Sequence, residues 1–90
     1  MKVYVIQDTY NYDESYSEDC FEETEILGVA LSEEKARNFI RNYDDFGSII
    51  EDNYTNEDDG YSFARYVLEK DDHNYFWRHQ ISYSEFEIVE

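Results

Sequence analysis

The chain has no proline and only three glycines, at positions 28, 47 and 60, so no stretch of it reads as a flexible linker. Cysteine occurs once, at Cys20, which excludes an intrachain disulfide and gives no sign of an oxidising compartment. Bases are scarce: seven Lys and Arg stand against 23 Asp and Glu, for a formal net charge of −16. A chain so charged does not dock directly on nucleic-acid phosphates or on an anionic membrane surface. Long apolar runs are missing as well. No segment approaches the roughly 18 residues of a membrane span, and the opening MKVYVIQ lacks the apolar region of a secretion signal. The expected location is therefore the cytoplasm.

What is abundant is aromatic surface and acid. Ten Tyr, six Phe and one Trp make up 19% of the 90 residues, whereas disordered chains carry few aromatics. A single folded domain over residues 1–90 is expected, with a small core that buries roughly 60–65% of the unfolded surface. Self-repulsion among the acids acts against that compact state, screened by salt over about 8 Å.

The segment KVYVIQDTY (Lys2–Tyr10) is β-branched and aromatic and alternates Val3 and Val5 against Tyr4, Ile6 and Tyr10, the two-residue period of a strand. Residues 11–19 read as a polar turn, and Cys20–Leu31 as a second strand pairing with the first in a hairpin. In LSEEKARNFIRNYDD, Ser32 is the expected N-cap, with Glu33 and Glu34 at the positive end of the helix dipole. Ala36, Phe39, Ile40 and Tyr43 mark its buried stripe, and Glu33 and Arg37 are spaced to pair. Asp44–Gly60 reads as a short second helix or as a loop. Tyr61–Lys70 alternates as a strand, DDHN (Asp71–Asn74) is turn chemistry, and YFWRHQISYSEFEIVE is one long bent strand or two short ones. The expected class is α+β: a small antiparallel sheet of about four strands in β-β-α-β-β order, covered on one face by one main helix. The terminal stretch also offers a candidate sheet edge for a homodimer, opposed by the charges of Glu85, Glu87 and Glu90.

Read together, MKVYVIQ, ILGVALSEEKARNFI and YSFARYVLEK resemble a family of small uncharacterised bacterial and phage proteins with an N-terminal hairpin, an S-E-E-K-A helix start and a following hairpin. That resemblance brings no residue-level role. In size and charge the chain also resembles the small acidic phage proteins that inhibit bacterial defence nucleases, anti-CRISPR proteins among them.

The acids fall in two blocks. In the first, Asp13, Glu14, Glu18, Asp19, Glu22, Glu23 and Glu25 are interleaved with Tyr10, Tyr12 and Tyr16. The second holds Glu51, Asp52, Glu57, Asp58 and Asp59 and is expected to extend the same negative ridge if it folds alongside. Carboxylates spaced along a strand can stand in for phosphates on a basic groove, and tyrosines supply packed contact between them. The plain alternative is a solvated acidic surface that no partner reads, and a halophilic origin would also account for the acids.

Other chemistry finds little footing. Placing Gly60 at the sixth position of a calcium loop puts Thr55 at the first and Tyr66 at the twelfth, so no dedicated metal site is expected. Cys20, His73 and His79 fit no zinc spacing, and nothing points to a cofactor. No catalytic residue is assigned. The expectation is a non-enzymatic protein that binds a basic partner, a nucleic-acid-binding nuclease or defence complex, as a DNA mimic. An immunity or antitoxin-like protein against a basic toxin, or a structural domain whose charge only solubilises it, would carry the same composition.

Overall fold

Val3, Tyr4, Val5 and Ile6 favour extended backbone because branched and aromatic side chains fit a pleated surface. They open strand β1 (Lys2–Tyr12) of the computed structural model, which describes residues 1–12, 22–55 and 63–89, with backbone alone at Tyr12 and Glu22. There follow β2 (Glu22–Ala30), helix α1 (Glu33–Asn42), β3 (Ser48–Tyr54), β4 (Ala64–Lys70) and β5 (Phe76–Glu87). All pairings are antiparallel and the sheet order is β2-β1-β5-β4-β3. The fold is α+β with one helix, and it has five strands rather than four. Of the turn expected over residues 11–19, Asn11 and Tyr12 instead extend β1, and residues 13–19 lie outside the described residues, as does Cys20.

The additional strand is β3, inside the stretch expected to be a short helix or a loop. All seven of its residues are exposed, so it carries no alternation of buried and exposed side chains to betray it. It is held by its backbone ladder with β4, which is interrupted by an irregularity between Ile49 and Glu51. A second difference concerns the terminal stretch. It forms one strand, β5, lying between β1 and β4 in the middle of the sheet, so the edge proposed for a homodimer is already paired on both sides. Among the described residues, the edge strands are β2 and β3.

Helix α1 is set by its cap and its stripe. Ser32 Oγ accepts from the Lys35 amide at 3.2 Å, and Glu33 and Glu34 occupy the first turn. Ala36 and Ile40 are fully buried against Ile6 of β1, Ile81 of β5, Phe63 and Tyr83. Each large apolar side chain so buried contributes about 1.5–3 kcal/mol. Glu33 and Arg37 pair at 2.9 Å, and both bond Tyr83: the Tyr83 hydroxyl donates to Glu33 Oε1 at 2.7 Å and accepts from Arg37 Nε at 3.1 Å.

Arg65 of β4 ends the helix. Its Nη1 donates to the backbone oxygens of Ile40 at 2.9 Å and Tyr43 at 2.6 Å, satisfying carbonyls that a helix leaves orphaned at its C-terminus. Its Nε and Nη2 form a fork on Asp52 of β3 at 2.8 and 2.6 Å, and its guanidinium lies over the rings of Phe46 and Tyr54. One buried cation thus joins β4, β3 and the end of α1. In the β4–β5 turn, Asp71 accepts from the amides of His73 and Tyr75 and from Trp77 Nε1, with Asn74 in the left-handed region at φ 66°.

Register assigns the two faces of the sheet. Tyr4, Ile6, Asp8 and Tyr10 lie opposite Glu85, Tyr83, Ile81 and His79 on the face that carries α1. Among the described residues, no helix or strand packs over the other face.

Candidate acidic interface and buried charge network

Glu23 and Glu25 project from the edge strand β2 on the helix-bearing face, opposite Tyr10 and Asp8 of β1. Same-face residues two apart on a strand are about 6.6–6.8 Å apart, close to the spacing of consecutive phosphates on a nucleic-acid strand. Both are exposed. Tyr10 donates its phenolic hydrogen to Glu23 Oε2 at 2.8 Å, and this hydrogen bond raises the phenol above its ordinary range. The Tyr10 ring leans on Trp77 at 6.1 Å and His79 at 5.8 Å, so it belongs to the folded surface rather than to a free hot spot. The backbone of Glu22 lies opposite Asn11, on the other face of the sheet, and Tyr12 pairs with Trp77. Asp13, Glu14, Tyr16, Glu18 and Asp19 lie outside the described residues.

The second acidic block does not continue this edge through its described members. Glu51 and Asp52 sit on β3, at the opposite end of the sheet order from β2, four strand spacings or roughly 19 Å away. Asp52 is moreover engaged: its fork with Arg65 holds its carboxyl below the usual range, the hydrogen bond being the largest cause. Among the described members of that block, only Glu51 remains as an outward carboxylate. Glu57, Asp58 and Asp59 lie outside the described residues.

A network that sequence reading missed lies inside. His79 stands between two carboxylates, with Nδ1 2.8 Å from Asp8 Oδ2 and Nε2 2.7 Å from Glu69 Oε1. All three side chains are nearly buried, at 10%, 6% and 13% exposure. Burial alone would push the imidazole down, but the hydrogen bonds and charges of Asp8 and Glu69 outweigh it and hold His79 above its ordinary value. Phe46 caps the ring edge-on at 5.1 Å, and the other oxygen of Glu69 accepts the Gly47 amide, fastening the α1–β3 connection to the network. Among the described residues, Asp8 Oδ1 is buried without a partner. With both ring nitrogens occupied, His79 is arranged as a fixed cation rather than as a general base. His73 is exposed in the β4–β5 turn, apart from this network. Among the described residues, no three His, Cys, Asp or Glu converge as metal ligands.

The signal for the network was present in phase. Asp8 alternates with Tyr4 and Ile6, and Arg65 and Glu69 alternate with Phe63 and Val67, so charged groups occupy positions whose neighbours two residues away are buried. A charge in phase with a core stripe must find a buried partner.

The bases are mostly engaged by the chain's own groups. Lys2 pairs with Glu85 at 3.0 Å, Arg37 with Glu33, and Arg65 with Asp52, while Arg41 lies over Phe63 and Lys70 over Phe76. Among the described residues, Glu23, Glu25 and Glu51 have no basic partner. A shallow cleft of about 170 Å³ between β1, β5 and β4 is lined by Thr9, Tyr10, Asn11, Tyr66, Arg78, His79 and Gln80 and holds no acid.

No helix among the described residues is long and apolar enough to cross a membrane. No curated protein and no solved structure matches the chain. A family model does, over residues 1–81, from β1 through α1 and into the middle of β5, and on that match the chain belongs to DUF7336, a domain family of unknown function.

Proposed function

We propose that the protein is a non-enzymatic binder that sets the acidic edge of β2 against a basic surface of another protein. The observation that carries the reading is the pair Glu23 and Glu25: exposed, on one face of an edge strand, and without basic partners among the described residues, in a chain of net charge −16. Carboxylates so placed occupy the Lys and Arg positions of a phosphate-binding groove, and complementary charge speeds encounter. In its sharpest form the partner is a nucleic-acid-binding nuclease of bacterial defence and the protein is a DNA-mimic inhibitor of the anti-CRISPR type. An immunity protein facing a basic toxin would use the same edge. The test is capture of partners from bacterial lysate on the tagged protein, followed by association kinetics with the retained partner. Glu23→Gln with Glu25→Gln is expected to slow association roughly fivefold at low salt, and added nucleic acid to displace the partner. Unchanged association would remove this edge from the interface.

A second reading has its own support. Carboxylates stand on both free edges of the sheet, Glu23 and Glu25 on β2 and Glu51 on β3, where charge keeps a further strand from adding. Under that reading the same double substitution leaves partner capture intact and makes the protein aggregate.

A further inference from the structure

We infer that the uncovered face of the sheet is a self-association surface, on which two copies pack sheet against sheet. The inference is independent of the acidic-edge reading, since it concerns the opposite face.

Alternation along the strands sorts the charge. On β1 and β5, every residue on the uncovered face from Val3 and Phe86 to Asn11 and Arg78 is neutral except Arg78, whereas Asp8, Glu85 and Glu87 all fall on the helix-bearing face. Glu23, Glu25 and Glu69 do the same on β2 and β4. Among the side chains described, Glu51 on the far strand β3 is the acid that joins the uncovered face. By register Glu22 stands on that face too, opposite Asn11, so among the described residues the face meets acid only on its outer strands β2 and β3, and none on β1, β5 or β4.

One end of that surface is apolar. Val5 lies between Val29 of β2 and Ser84 of β5, and Val3 lies opposite Phe86. The Ile88 amide donates to the Met1 carbonyl at 2.8 Å, continuing the ladder one step further. Ile26, Val29 and Phe86 are 67%, 61% and 53% exposed. Interface centres are depleted of charge in this way, and a contiguous apolar patch on a soluble chain marks a binding surface.

The occupant follows from charge and area. A basic partner is drawn to the acid-bearing edges and the helix side, not to a neutral face. Another copy of this chain is repelled everywhere except where acid is missing. Five strands about 4.8 Å apart, with some eight residues at about 3.3 Å each, give roughly 600 Å² per copy and about 1,200 Å² in total, the lower end of stable interfaces. Two sheets stacked about 10 Å apart leave both helices and both acidic edges outside.

The test is sedimentation equilibrium from micromolar to millimolar protein, at low salt and at about 0.5 M NaCl. The expected result is a mass rising from 10.9 kDa to twice that value, with tighter association at high salt because the remaining charges repel. Val29→Thr on β2 and Phe86→Thr on β5 keep strand-forming residues, and circular dichroism checks that each variant folds. Each is expected to weaken the dimer about tenfold. A monomer at every concentration and salt overturns the inference, and so does a dimer weakened by salt. A dimer sensitive to Val29→Thr alone overturns it too, since that places the contact on the β2 edge instead of on the face.

Discussion

Replacing His79 by leucine removes both proton donors from between Asp8 and Glu69 while leaving those two carboxylates buried. Each charge-assisted hydrogen bond contributes about 1.5–3 kcal/mol, and breaking a buried ion pair from one side costs about 3–5 kcal/mol. A chain of this size has about 5–14 kcal/mol in all, so His79→Leu is expected to lose about a fifth of the stability or more. The same contacts give the wild type a pH dependence whose sign is fixed. A neutral imidazole has one N–H and cannot donate to both carboxylates. The folded value of His79 is raised, so its contribution is complete below the unfolded value of about 6.5 and is lost as pH rises through the folded one. The assay is urea unfolding followed by circular dichroism between about pH 5.5 and about pH 9. Wild-type stability should fall across that window, and the fall should shrink in Asp8→Asn, which keeps the imidazole but removes one of its charges. A flat wild-type profile, or the same slope in His79→Leu, would refute the reasoning.

Two further perturbations test other joints of the fold. Arg65→Met strips the helix end and Asp52 at once and is expected to cost about 3–5 kcal/mol, with Arg65→Lys recovering only part because one ammonium cannot replace the fork. Denaturant titration decides it, and a lysine variant as stable as wild type would sink the account. Gly47→Ala brings a methyl carbon 2.7 Å from the Lys70 carbonyl oxygen, a backbone atom that cannot swing aside. A loss of about 1–3 kcal/mol, several degrees in melting temperature, is expected; an unchanged melt would mean that the α1–β3 connection yields freely.

The elements whose faces differ were legible. β1 and β4 alternate, α1 shows its cap and buries Ala36 and Ile40 of its expected stripe while Phe39 stays exposed, and the Asp71 turn carries its own hydrogen-bond chemistry. β3 was hidden because an edge strand exposed at all seven positions has no period, and the adjacent Ile49 and Ile50 straddle an irregularity of the ladder. The partners of His79 were hidden for another reason: Asp8 and Glu69 reach it only through β1–β5 and β4–β5 pairing, and pairing order cannot be read from local pattern. The same ignorance joined the two acidic blocks into one ridge, whereas β2 and β3 take Glu23 and Glu51 to opposite edges.

The neighbouring of β1 and β5 has a consequence in time. Lys2 pairs with Glu87, so β1 finds its central partner only after β5, 64 residues further along from Tyr12 to Phe76, has been made. Until then β5 is missing from between β1 and β4, so Asp8 lacks His79 and, although α1 can already cover Ile6, the β3–β4 hairpin has no strand joining it to β1. Non-local closure of this kind is slow and exposes sticky surface meanwhile. In a growing chain, a net charge of −16 makes copies repel one another until β5 closes the sheet.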